Sequence, residues 1–232
     1  MIEIIENELN NYQDTNTLEF NKKILNIKEG SYASNDTLLG IRTPNIRKVA
    51  KKYYKTLSLE EVLYFLRSPI HEYRLFALIV MTYNKPETVI ELYLNNLKYV
   101  DNWDLVDVSA PLILGRYLFE YKINKNKENN EASNILRKLY ASEAIFERRV
   151  AIVATLYLIR KDCLLESLDF LKLTIADPSS LNNKALGWML REVGKHDEKL
   201  LINFLTEYPC KSITFSYATE RMDQKLKNSL KK

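Results

Sequence analysis

The chain has 232 residues, 46% of them hydrophobic, with only 5 Gly and 6 Pro. That composition supplies the core of one large domain or one short repeat array and excludes general disorder; so few turn residues favour helices joined by short loops over a many-stranded sheet. The net charge of +4, from 34 Lys+Arg against 30 Asp+Glu, permits a nucleic-acid partner without pointing to one, so the placement of positive charge matters more than its sum.

The hydrophobic period is helical almost throughout. The opening MIEII is too short and too acidic for a secretory signal. In PNIRKVAKKYYK, Ile46, Val49, Ala50 and Tyr53 share one stripe. Thr43 suits the N-cap there, and Pro44 the first helical position, where its missing N–H costs little. Ser58 caps SLEEVLYFLR, with Glu61 at the capping-box position. Further helices are expected over 72–83, 86–99, 103–121, 145–159, 164–175, 181–194 and 198–208, and two short ones within 212–220 and 224–230. NKNKENNE, residues 124–131, reads as an exposed loop. It is too short to divide the chain, so residues 1–232 are read as one domain.

Three segments begin with a basic residue and continue into an aliphatic run: RLFALIVM at Arg74, RVAIVATLY at Arg149 and KALGWMLRE at Lys184. Their starts lie 75 and then 35 residues apart, which is two repeats and then one. A period in the mid-thirties with two helices per unit marks an α-solenoid, and the missing tetratricopeptide pattern favours HEAT-like repeats. The expected fold is therefore all-α, a right-handed superhelical solenoid of HEAT-like repeats. The basic residues Arg74, Arg148 or Arg149, and Lys184 either form a positive ridge on its concave face or bridge to acids of neighbouring repeats.

DNWDLVDVSAPLILG is the most unusual segment. Trp103 and Asp107 stand four apart, on one helix face. Asp104 lies at the helix start, where a carboxylate favours the dipole. Asp107 is a full turn further in, among Val106, Val108, Ala110, Leu112 and Ile113, where a charge is costly. Pro111 has no N–H for the Asp107 carbonyl, so a kink is expected there. Asp107 is either part of a functional site or a buried partner of Arg149. In KALGWMLREVGK, Trp188 precedes Arg191 by three residues, and Gly187 implies close helix packing; Trp188 is either core or ligand contact. Arg42, Arg47, Lys48, Lys51, Lys52 and Lys55 occur with no acid among them, and with a helix N-terminus beside them they suit backbone phosphates.

Two cysteines, Cys163 and Cys210, and two histidines, His71 and His196, make neither a metal pattern nor a disulfide framework. No apolar run is long enough to span a membrane. The reading is cytoplasmic, with no metal and no cofactor.

The blocks LGIRTPNIRKVAK, NWDLVDVSAPLILG, ERRVAIV, KALGWMLREVGK and ITFSYATERM run from Leu39 to Met222. In this order they resemble the AlkD-type DNA alkylation repair family, HEAT-like-repeat DNA glycosylases. The resemblance implies a positively charged concave surface that holds duplex DNA and excises cationic N3- and N7-alkylpurines without a deep base pocket. It implies catalysis by Trp103, Asp107 and Arg149, with Trp188, Arg148, Arg191, Arg42, Arg47, Lys48, Lys51 and Lys184 contacting DNA, in a monomer. The chain departs from the family in its longer GSYASNDT connection, where only Tyr32 offers an early aromatic, and in Ser216, where relatives often carry Arg. Two other functions suit the same pattern: a solenoid that binds DNA structure without catalysis, and a protein–protein scaffold.

Overall fold

The structure is a computed structural model that describes residues 1–123 and 130–230. It is all-helical and divides into two compact units, Met1–Ser109 and Ala110–Lys232. The first unit contains α1 (Ile2–Asn10), α2 (Thr15–Ile24), α3 (Thr43–Tyr53), α4 (Leu59–Leu66), α5 (His71–Tyr83), α6 (Pro86–Asn95), a 3₁₀ turn at Leu97–Tyr99, and α7 (Trp103–Ser109). The second opens with two π-helical stretches, Pro111–Gly115 and Leu118–Ile123. It continues with α8 (Asn130–Tyr140), α9 (Ile145–Ile159), α10 (Leu164–Leu171), α11 (Ser180–His196), α12 (Glu198–Glu207), α13 (Ser212–Ala218) and α14 (Gln224–Leu230). No described helix is long and apolar enough to cross a membrane.

Each unit is built around a helix buried on nearly every side. In α5 every residue from His71 to Thr82 is buried, and α3, α4 and α7 pack against it. In α9 burial runs from Arg149 to Ile159 with only Tyr157 half-exposed, against α8, α10 and α11. A helix that is apolar all round belongs in a core. The charged residues of these two helices are confined to their N-terminal ends.

The repeat expected from the sequence is present, in a shifted register. Arg74 and Arg148 are each the fourth residue of their helix, and each donates from Nη1 to the carbonyl six residues back: Ser68 at 3.1 Å and Ser142 at 2.9 Å. In α11 the fourth residue is Asn183, whose amide donates to the carbonyl of Asp177, again six back, at 3.0 Å. Arg148 is thus the equivalent of Arg74, while Arg149 and Lys184 stand one residue beyond the repeated position. The same side chains close ion pairs within their own units. Arg74 meets Asp36 and Asp101, and Arg148 meets Asp177 at 3.0 Å. Arg74 is only 4% exposed, so it lines no surface ridge; at Arg74 and Arg148 the bridging alternative describes the geometry.

Element ends show where local chemistry held. Ser58 and Glu61 form the expected capping box, with bonds of 3.2 and 2.9 Å. α3 begins one residue earlier than expected, with Arg42 at the N-cap and Thr43 already helical. The helix expected over 103–121 is interrupted: α7 ends at Ser109, and the Gly115 amide reaches back five residues to the Ala110 carbonyl at 2.9 Å. Such a π turn accommodates a proline that cannot donate. Of the loop expected over 124–131, residues 124–129 lie outside those described, while Asn130 and Glu131 already belong to α8, a helix the sequence pattern did not reveal.

Gly187 confirms its expected packing role. A Cβ there would stand 2.5 Å from the Tyr217 Cβ and 2.6 Å from the Thr214 carbonyl oxygen. Replacing a mid-helix glycine by alanine ordinarily stabilises by about 1 kcal/mol. Here overpacking wins, and Gly187→Ala is expected to lose about 1–3 kcal/mol. Urea unfolding measures this; a rise in the midpoint would show that α11 and α13 can separate freely.

Candidate functional site

The site in the first unit starts from a buried carboxylate. Glu72, in the first turn of α5, accepts the backbone amides of Leu39 at 2.9 Å, Gly40 at 2.8 Å and Ile41 at 3.3 Å. Three converging donors fix the loop that leads into α3. Gly40 has φ +76° and sits so close to α2 that a Cβ would stand 2.5 Å from the Asp14 carbonyl oxygen, so only glycine fits. The loop is also pinned by the Thr37 amide on the Pro69 carbonyl at 3.3 Å and by the His71 amide on the Thr37 carbonyl at 2.9 Å. These bonds bring Asp36 to the start of α5.

Three polar ties then hold the N-terminus of α7. The Asn102 side chain accepts the Trp103 amide at 2.8 Å and donates to the Leu25 carbonyl at 3.3 Å. The Trp103 indole N–H donates to the Ile24 carbonyl at 3.3 Å, which fixes the plane of the ring. Asp104 meets His71 Nε2 at 2.8 Å. The end of α2 is thus where the Trp103 indole is anchored.

His71 is 1% exposed, and its second nitrogen, Nδ1, lies 3.0 Å from Asp36. Burial alone would lower this imidazole, but Asp104 and Asp36, one on each nitrogen, overcome it and push it up to about 9. At neutral pH the ring is therefore an imidazolium donating to both carboxylates. Burial opposes the charge on Asp36 too, and His71 with Arg74 nevertheless brings that carboxyl below its usual range. The charges alternate in sign along Asp101, Arg74, Asp36, His71 and Asp104.

A cavity of about 310 Å³ lies at the end of this chain of charges. Trp103, Asp104, Asp107 and His71 line it, with apolar walls from Ile24, Leu25, Ile41 and Leu75. Trp103 and Asp107, singled out from their spacing, therefore share one cavity on one helix face. Asp107 is half-buried. Behind α7 the Tyr93 hydroxyl is bonded to Ser109 Oγ at 2.9 Å, and burial raises its phenol well above the usual range, with the Asp107 charge adding to the effect.

Arg42, Lys48, Lys51 and Lys55 are exposed on or beside α3, and Arg47 is half-buried. Lys48 lies over the Tyr12 ring at 5.6 Å and Lys55 over the Tyr54 ring at 5.7 Å. The structure removes one member of the expected cluster: Lys52 is paired with Glu8 of α1 at 2.7 Å. Arg42 Nε donates to Thr17 Oγ1 at 3.2 Å.

In the second unit, Arg148 is held by Asp177 and by the carbonyls of Ser142 and Glu143, at 2.9 and 2.8 Å. Arg149 is 5% exposed, with Nη1 donating to the Leu181 carbonyl at 2.8 Å. The Trp188 indole is half-buried and donates to Glu192 at 3.2 Å, and Arg191 pairs with Glu220. Lys184 is half-buried on α11.

His71, Asp36 and Glu72 do not stand out in the sequence, where the two histidines make no metal pattern and Asp104 suits a helix dipole. The usable signal is the HEYR run, in which His71, Glu72 and Arg74 put three charge-bearing side chains in four residues at the start of an otherwise apolar helix. Among the described residues no group of three or more His, Cys, Asp and Glu side chains suits a metal ion.

The His71 pairing has a defined pH window. Its folded-state value lies above the unfolded 6.5, so its stabilisation is fully present below pH 6.5 and is lost as pH rises through about 9. With only 2 His in the chain, imidazole carbon resonances resolve the titration directly. The expected midpoint for His71 is near pH 9; a midpoint near 6.5 would show that the two carboxylates do not hold a proton on the ring.

Comparison with known proteins agrees with this architecture. The family model described as DNA alkylation repair enzyme matches residues 5–222. An Enterococcus faecalis structure described as a predicted DNA alkylation repair enzyme superposes with a TM-score of 0.70 at 16% identity, covering 91% of this chain and 97% of the other. AlkD2 from Streptococcus mutans gives 0.59 at 16% identity, covering 90% and 98%. The smu.31 protein of Streptococcus mutans UA159 gives 0.59 at 18%, covering 78% and 92%. No curated protein matches the chain. At these identities the structural likeness bears on the fold, an all-α helical-repeat architecture; the family model, matched over nearly the whole length, shows that this chain belongs to the DNA alkylation repair enzyme family.

Proposed function

We propose that the protein is a DNA glycosylase that hydrolyses the N-glycosidic bond of cationic N3- and N7-alkylpurines in duplex DNA. The observation that carries this reading is that Trp103 and Asp107 line one cavity, with the indole anchored through its N–H. An alkylated purine already bears positive charge and leaves with the bonding electron pair as a neutral base. The catalyst's task is to stabilise the positive charge that grows on the sugar. The Asp107 carboxylate does this electrostatically, and the Trp103 ring face attracts the same cation. Water then adds to the sugar carbon and releases one proton, which balances the reaction without a metal or an organic cofactor.

Phosphate contacts belong to the basic residues on or beside α3, the exposed Arg42, Lys48 and Lys51 with the half-buried Arg47, which position the duplex without reading its sequence. Arg149 is proposed as the third member of the catalytic set, and Trp188, Arg191, Lys184 and Arg148 as further DNA contacts, on the family resemblance. Arg148, Arg149, Trp188 and Arg191 are tied within the second unit, so each of these four must present a second donor or a ring face to DNA.

On methylated duplex DNA the protein is expected to release 7-methylguanine or 3-methyladenine. Asp107→Asn is expected to cut single-turnover release by about 100-fold while leaving duplex affinity nearly unchanged. Salt-sensitive binding with no base release by the wild type would identify a non-catalytic DNA binder instead. The double substitution Lys48→Ala, Lys51→Ala is expected to make the slope of log affinity against log salt shallower by about 2, close to one unit per lost phosphate contact. An unchanged slope would place the duplex elsewhere.

A further inference from the structure

The cavity contains a titratable group that the excision chemistry above does not use. His71 lines it together with Trp103, Asp104 and Asp107, with one nitrogen on Asp36 and the other on Asp104. Asp104 lies between Trp103 and Asp107 in sequence, on the first turn of α7. Of the three ties that hold this helix end, those from Asn102 and Trp103 are neutral hydrogen bonds to carbonyls. The third joins two charged side chains, and it alone crosses from α7 to the buried helix α5.

We propose that His71 is a positioning residue for base excision: as an imidazolium bonded to Asp104 it fixes the first turn of α7, and so sets the Trp103 ring and the Asp107 carboxylate at the cavity. The inference rests on the glycosylase reading for its kinetic consequence, but the positioning itself does not. When the ring is neutral, only one nitrogen carries a proton. It can then donate to Asp36 or to Asp104 but not to both, and Asp36 has the stronger claim because Arg74 holds it in place. The Asp104 contact is the one released.

The charges around the ring define what a titration would read. From the loop before α3 comes Asp36; from α5 itself come Glu72, occupied by three backbone amides, and Arg74; from the α7 side come Asp101, Asp104 and Asp107. Removing the Asp104 charge leaves Asp36 and Asp101 ion-paired with the two bases Arg74 and His71, and Glu72 on its three backbone amides. Asp104→Asn therefore strands no unpaired buried charge, which makes it the variant that keeps the fold. Substituting His71 itself would leave Asp36 and Asp104 facing each other across the gap.

Two measurements test the proposal. In the first, single-turnover base release is followed from pH 7 to 10. The wild-type rate is expected to fall above pH 9 by about tenfold per unit, with duplex affinity steady. In Asp104→Asn the falling limb should move to lower pH, because His71 has lost one of its two carboxylates, while the melting temperature stays close to wild type. A merely structural His71 would give flat profiles in both proteins, and a limb that does not move with Asp104→Asn would equally overturn the proposal. The second measurement needs no chemistry. The chain has 2 Trp, so in a Trp188→Phe background Trp103 is the sole indole, and its emission is expected to change with the midpoint of the His71 titration. Emission that does not follow that midpoint overturns the positioning. Absence of base release by the wild type, with the emission change intact, would instead overturn the glycosylase reading and leave the positioning standing.

Discussion

A helix buried on all sides must dispose of its polar residues, and that constraint organises the first unit. α5 has no solvent face from His71 to Thr82, so His71, Glu72 and Arg74 in its opening turn must all find partners inside the protein. An unpaired buried polar group is far costlier than a made hydrogen bond is favourable. Glu72 satisfies itself on the loop that enters α3, His71 on the start of α7, and Arg74 on both sides through Asp36 and Asp101. One turn of helix thereby fixes the elements that carry the basic face and the cavity. The apolar remainder of α5 supplies the driving force; its first turn supplies the directions.

The second unit solves the same problem with a different side chain. Arg148 at the matching position of α9 is tied to Asp177, which also accepts the Ser179 amide at 2.8 Å and the Asn182 side chain at 3.1 Å. What recurs between the units is a rule for closing a buried helix start: a long or amide-bearing side chain at the fourth residue reaches the carbonyl six positions back. Arg74, Arg148 and Asn183 all obey it. Because the rule concerns reach and hydrogen bonding, asparagine can replace arginine, and a search for repeated positive charge selects Lys184 instead. The repeat was legible in the sequence for its period, while its register depended on a hydrogen bond that composition does not encode.

The same division holds elsewhere. The bounds of α9 and α14 agree with the hydrophobic pattern of IFERRVAIVATLYLI and QKLKNSL. α8 was hidden because its first residues continue a polar run; at Pro111 the missing N–H predicts a kink, but not the π turn that follows α7. Trp103 and Asp107 could be paired from spacing, since four residues is one helical turn. Nothing in that spacing shows that α2 anchors the indole or that α5 holds Asp104. Both contacts join residues more than 30 positions apart, and Glu8 neutralises Lys52 from equally far away. Local pattern reveals which side chains share a face, and tertiary closure decides which of them keep their charge available.

That decision separates the two kinds of electrostatics in this protein. Lys48 and Lys51 stand in water, where attraction to a polyanion is screened within about 8 Å at physiological salt. The Asp36–His71–Asp104 set is buried, where ions penetrate poorly and charges act at lower effective dielectric. A phosphate-binding face has to be screened and exchangeable if the protein is to move along a duplex. A carboxylate that stabilises a transient cation has to be fixed before that cation forms, because reorientation during bond breaking would consume the stabilisation it provides. Exposed lysines on α3 suit the first demand, and a carboxylate on a helix clamped by a buried imidazolium suits the second. Under the proposed function the acidic cavity and the basic helix therefore do not cancel each other: the helix would act through solvent on the approach of DNA, and the cavity over a few ångströms on the group that enters it.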